Sequence, residues 1–349
     1  MAVFGPPFFI NTNMINCLRS GECISKMERA RGLCGFLKVT QMSTRKIRNY
    51  DVLSNYLYFI PNPIEMFSLL LFLLAGALFG NAVVLCLMLI PGMSMSSDLT
   101  TLVAYPIMFI PPMIYASVRS QRNMMFDDGR SMDSSEHFGK SGLLLAIMVM
   151  LATVAMSFLM DIINSQMPPM PEWLESTLKG MTQGNVIINF ICVSLMAPFF
   201  EEWLCRGMVL RGLLNYRRRP GADGTPRNGM KPVWAIVISA AFFALIHMNP
   251  WQAVPAFGLG CLFGYVYYRT GSLKLTMLMH FTNNTIALIA GNIDLLKDAD
   301  TWLDIMPVWA YCVIAVVFLA YLYIFIKRIN EIPLNSPQGN CDVVSFSTK

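Results

Sequence analysis

Charge is scarce in this chain. Asp, Glu, Lys and Arg make up 13% of its 349 residues, about half the share of roughly 25% usual in soluble domains. A surface built for water is therefore excluded. No basic stripe interleaved with aromatics occurs, so the formal charge of +5 is not a nucleic-acid footprint. The nine cysteines (Cys17, Cys23, Cys34, Cys86, Cys192, Cys205, Cys261, Cys312 and Cys341) form no CxxC pair. No spacing among them suggests a zinc site, and they read as small buried hydrophobes with reduced thiols. HExxH is absent, which excludes the familiar zincin arrangement. There is no internal repeat and no extended low-complexity segment. The apolar stretch Pro6-Pro7-Phe8-Phe9-Ile10 is too short for a signal-peptide core and has no basic residues before it. Histidine is rare too: His137, His247 and His280 are all there are.

What fills the chain instead is apolar. Hydrophobic residues are 55% and the mean hydropathy is +0.51. They come in long runs rather than amphipathic stripes, the pattern of membrane spans. The expected fold is all-α, a polytopic membrane helical bundle of about eight transmembrane helices. A hydrocarbon core of about 30 Å needs ~20 helical residues, and the candidates are 64–91, 99–117, 141–163, 185–214, 232–248, 252–269, 272–290 and 307–327. Residues 1–63 read as a loose, polar cytoplasmic segment with a short interfacial helix near 50–60, where Tyr56, Tyr58 and Phe59 suit the headgroup level. Met42 opens Met-Ser-Thr-Arg-Lys-Ile-Arg, a natural start, which leaves 1–41 as an extension. Residues 64–327 form the membrane domain and 328–349 a cytoplasmic tail.

The few charges test the span count. With eight spans and the N-terminus inside, 22 of the 26 Lys and Arg fall in inner segments. The outer loops hold Lys179 and Lys297, and Arg206 and Arg211 lie in the fourth span. So strong a positive-inside asymmetry puts both termini in the cytoplasm, with a bacterial plasma membrane as the expected location.

Ionisable groups near the bilayer centre cost about 2.5–3.5 kcal/mol each on insertion scales and mark function by default. The fourth span contains Glu201, Glu202 and Arg206. Glu202 and Arg206 are four apart and share a face, with Glu on the favoured N-terminal side. Glu201 is rotated by about 100° from Glu202 and has no cation on its own helix. A structural charge network fixing helix packing is the plain alternative. The fifth span ends with Phe243 and His247, four apart, and the seventh carries His280 and Asn284, also four apart. Each intramembrane His taken alone could be a hydrogen-bonded packing residue. His137, in a polar inner loop, reads as solvated.

Taken together, EExxxR, FxxxH and HxxxN in that order on three membrane helices resemble the CPBP family, the CAAX prenyl protease and bacteriocin-processing membrane proteases also called Abi proteins. The motif positions are Glu201, Glu202 and Arg206; Phe243 and His247; His280 and Asn284. The resemblance covers about residues 141–290. It implies an intramembrane endopeptidase, of CAAX-box-processing type, acting on a membrane-associated or lipidated protein or peptide.

The residues suit that chemistry. A carboxylate withdrawn from water is a stronger base, and Glu201 fits that role, with His247 holding the same water from its other side. His280 and Asn284 can both donate to a developing oxyanion, while Glu202 and Arg206 support the site as a pair. No nucleophilic Ser or Cys is required, and Cys205 has no motif behind it. Glu201, His247 and His280 are equally a three-ligand zinc set with an open position for water, so metalloprotease and metal-free glutamate mechanisms both stand. The partners are then the bilayer and a peptide or lipidated-protein substrate, with no nucleic acid. Two non-proteolytic readings compete. One is a non-catalytic scaffold or bacteriocin-immunity-type protein on the same fold. The other is a transporter, which would predict half-helices and a repeat between halves.

Overall fold

The computed structural model describes residues 52–92, 94–125, 129–134, 142–216, 229–296, 299 and 301–334. Residues 1–51, His137 and the end of the tail lie outside the described residues, and so do the readings made for them.

Nine helices and no strand occur among the described residues. They are α1 (Pro63–Met88), α2 (Ser97–Asn123), α3 (Gly142–Asn164), α4 (Glu172–Gln183), α5 (Val186–Asn215), α6 (Pro232–Leu245), α7 (Pro250–Thr270), α8 (Leu273–Ala290) and α9 (Val308–Glu331). Each of the eight expected segments holds a helix. The ninth, α4, is a twelve-residue helix that apolar runs could not announce, because it carries Glu172, Glu175 and Lys179. Five helices, α1, α2, α3, α5 and α9, are long and apolar enough to cross a membrane. The chain is an integral membrane protein with a helical bundle fold.

In α1 the protein-buried residues are Met66, Leu69, Leu73, Gly76, Gly80 and Val84, a stripe spaced by threes and fours. Its other faces are just as apolar, with Leu78 at 75% and Leu85 at 63% exposure. A helix apolar all round with one buried stripe has lipid against the rest. Gly76 and Gly80 form a small-xxx-small pair that lets α2 approach closely. A Cβ on Gly76 would strike the carbonyl oxygen of Met108, and one on Gly80 that of Ala104.

The three remaining expected spans are shorter or more polar. α6 has 14 residues, about 21 Å at 1.5 Å per residue, against a hydrocarbon core of about 30 Å. The chain turns at once into α7, helped by Met248 in the left-handed region (φ 56°) and by Asn249, whose side chain caps α7 at the Gln252 N–H. His247 therefore lies in the turn of a helical hairpin whose first arm is the shorter.

Below the hairpin, the end of α5 is tied to segments preceding α1 and α3. Arg211 is fully buried and donates to the carbonyls of Tyr56 (3.1 Å), Phe59 (2.6 Å) and Arg130 (2.8 Å). Tyr56 and Phe59 are consequently core residues at 5% and 0% exposure, not headgroup anchors. Tyr56 meets the Trp203 ring edge-on at 5.3 Å. Residues 52–56 form a single 3₁₀ turn rather than an interfacial helix. Asp133 caps α8 through the Leu273 N–H (2.9 Å) and pairs with Lys274 (3.0 Å). Among the described cysteines, Cys192 and Cys205 are buried as expected, Cys261 is half-buried, and Cys86 and Cys312 face outward. All five are free thiols.

Candidate active site

Glu201 and Glu202 close a six-residue α-helical stretch of α5, Ala197–Glu202, set between two π-helical stretches, Phe190–Met196 and Trp203–Leu210. π turns are wider than α turns, disturb the backbone ladder and recur at functional sites. Two carbonyls within these stretches accept side-chain hydrogen bonds from neighbouring helices. Val193 takes the Asn284 Nδ2–H at 2.8 Å, and Cys205 takes the Ser239 hydroxyl at 2.8 Å.

The expected Glu202–Arg206 pair is present, fully buried at 2.8 Å. Four residues overshoot a turn of α-helix and fall slightly short of a turn of π-helix, so the pair is compatible with either. Arg206 also donates to the Gly260 carbonyl at 3.1 Å. Its guanidinium lies over the rings of Phe243 (4.6 Å) and Phe263 (5.3 Å), a geometry that stabilises a desolvated cation. Phe243 thus earns its place in the pattern, since its ring also meets His247 edge-on at 5.0 Å and His280 at 5.4 Å.

The same Glu202 oxygen that holds Arg206 accepts from His280 Nδ1 at 3.1 Å. A carboxylate on one ring nitrogen fixes the tautomer, so the His280 Nε2 faces Glu201, 3.9 Å from its Oε2. That Oε2 is buried and has no hydrogen-bond partner among the described residues. The other oxygen of Glu201, Oε1, accepts the Tyr105 hydroxyl of α2 at 2.5 Å.

His247 is held differently. Its Nδ1 donates to the Phe243 carbonyl at 2.8 Å, leaving Nε2 as the acceptor of a neutral ring. Asn284 commits one N–H to Val193, and its Oδ1 accepts from Asn283 at 3.2 Å. The structure therefore brings Glu201, Glu202, Arg206 and His280 into direct contact. It joins His247 to them through the Phe243 ring and ties Asn284 to the backbone of α5. Among the described residues no three His, Cys, Asp or Glu side chains converge as a metal site. Glu201 and His280 face one another, and the Nδ1 bond of His247 to the Phe243 carbonyl leaves its Nε2 uncommitted.

Two residues with clear roles escaped the motif reading. Tyr105 sits in an apolar span where an aromatic carries no periodic signal. Arg211 did stand out as a charge in the fourth span, yet its carbonyl partners lie in distant segments that no spacing connects.

Residues 183–286 match the family model described as type II CAAX prenyl endopeptidase Rce1-like. All seven motif positions fall inside the matched segment. No curated protein and no solved structure matches the chain.

Proposed function

We propose, from a chain that the match at 183–286 assigns to the CAAX-protease family, an intramembrane endopeptidase that hydrolyses a peptide bond by a water activated on Glu201. The substrate is a membrane-associated or lipidated protein or peptide, and the likeness to type II CAAX prenyl endopeptidases favours a prenylated one. The observation that carries this reading is the 3.9 Å between Glu201 Oε2 and His280 Nε2. A water hydrogen-bonded to both at about 2.8 Å would subtend an angle of roughly 90°. Its two O–H groups then point at the two acceptors, and its lone pairs face outward toward a carbonyl carbon.

In the forward step Glu201 takes one proton as the water oxygen attacks. His280 holds the second O–H and is itself held by Glu202, whose charge Arg206 balances. The uncommitted N–H of Asn284, one turn along α8, donates to the oxyanion. Collapse of the tetrahedral intermediate returns the proton from Glu201 to the leaving amine, so the carboxylate is regenerated. The part of His247 rests on the motif, which makes its Nε2 an acceptor for an N–H of the leaving amine. The membrane orientation belongs to the same proposal: both termini cytoplasmic, supported by the charge split.

The test is purified, detergent-solubilised protein against matched prenylated and unprenylated peptides. General-base assistance is worth typically 10²–10⁴-fold, so Glu201→Gln is expected to lose at least about 10²-fold in turnover while staying folded. Asn284→Ala should lose about 10²–10³-fold in kcat, and His247→Ala should be inactive. Near-wild-type proteolysis by Glu201→Gln would sink the proposal.

A further inference from the structure

We infer that Tyr105 is a positioning residue for Glu201, the group that holds its carboxylate plane so that one oxygen meets the reacting water. This rests on the assignment of Glu201 as the base. It adds a residue from α2, a helix outside the segment 183–286 that the family match covers.

The geometry is specific. The carboxylate of a free Glu side chain rotates about a broad terminal torsion. The Tyr105 hydroxyl donates to Oε1 at 2.5 Å and thereby leaves Oε2 turned to His280 Nε2. Hydrogen bonds to a charged acceptor are shorter and about twice as strong as neutral ones, so this one suffices to select a rotamer.

Tyr105 is in turn held on three sides. Its ring packs against Phe109 at 5.5 Å and Phe200 at 6.5 Å. Phe109 and Phe200 stack on each other at 4.9 Å, which pins α2 to α5 one residue before Glu201. On the far side, the two places where α1 touches the α2 backbone, Gly80 against Ala104 and Gly76 against Met108, bracket Tyr105. The glycine pair in the first span thus acts on the carboxylate in the fifth helix, through one hydroxyl.

A packing role and a positioning role make different predictions. Tyr105→Phe keeps the ring and removes the donor. Loss of an outer partner of a reacting group typically costs 10–100-fold, and that loss is expected in kcat, with KM within about twofold of wild type and the melting temperature retained. 3-Fluorotyrosine at position 105 keeps the O–H and should restore kcat to within about threefold of wild type. Wild-type kcat in a folded Tyr105→Phe protein overturns the inference, as does a fall in KM affinity with kcat unchanged. Should Tyr105→Phe fail to fold, the fluorotyrosine chain decides: its more acidic phenol is expected to shift kcat measurably within that threefold range while KM stays constant, and a kcat equal to wild type within experimental error rejects the role. Glu201→Gln run alongside separates the two hypotheses. If it is inactive while Tyr105→Phe is fully active, only the role of Tyr105 falls. If it is active, the base assignment falls first.

Discussion

At the scale of single residues the site is a chain of dependencies. Arg206 balances Glu202, Glu202 holds His280, and Phe243 serves as the surface on which the cation and both imidazoles rest. Removing one member of a buried ion pair leaves an uncompensated charge, at about 3–5 kcal/mol. Arg206→Ala is therefore expected to lower folded yield as well as activity, measured by recovery of monodisperse protein from detergent. A variant with wild-type yield and turnover would remove Arg206 from the site. Much of this was legible from spacing. The i,i+4 rule identifies Glu202–Arg206, and the same rule joins Phe243 to His247 and His280 to Asn284. The rule also marks Glu201 as lacking a cation on its own helix. It cannot supply the partner, because Tyr105 lies 96 residues away and a hydroxyl in an apolar span leaves no trace in a hydropathy pattern.

Helices are the next scale, and here the sequence defines existence better than kind. Hydrophobic runs locate all eight expected helices, since burial in lipid or protein demands apolar side chains on every face. They do not reveal that α5 alternates between α- and π-helical stretches, because the π turn is set by which neighbour claims a carbonyl, here Asn284 and Ser239. Nor do they separate a full span from the 14-residue α6, whose end depends on where the chain turns. The approach of α1 to α2 is a property of this scale too. Gly80→Leu forces a side chain against the Ala104 carbonyl, and overpacking of this sort typically costs 1–3 kcal/mol. The variant should melt earlier and lose kcat, while Leu78→Val on the exposed face of the same helix should change neither. Equal effects from both substitutions would mean that α2 is not registered by the glycines.

For the whole molecule, the distribution of Lys and Arg predicts sidedness. Reporter fusions in the loops around 125, 170, 224 and 298 are expected to alternate inside, outside, inside, outside. The α6–α7 hairpin does not alter that order, because it begins and ends on one side whatever its depth. Two consecutive loops reporting the same compartment would refute the arrangement. The family match covers α5 to most of α8, the part of the bundle that carries the motifs. Helix α2, whose Tyr105 bonds Glu201, lies outside it, so the proposed site draws on more of the bundle than the matched segment.

The latch at Arg211 has a consequence for biosynthesis. Its acceptors on Tyr56 and Phe59 precede it by 155 and 152 residues. A chain made from its N-terminus at about 5–20 residues per second exposes those carbonyls well before their donor exists. The first helices must enter the membrane with this end of the bundle unsealed, and closure waits for the arrival of α5. The residues that bear the proposed chemistry arrive with α5 or after it, so the reactive centre is assembled only as the molecule is shut.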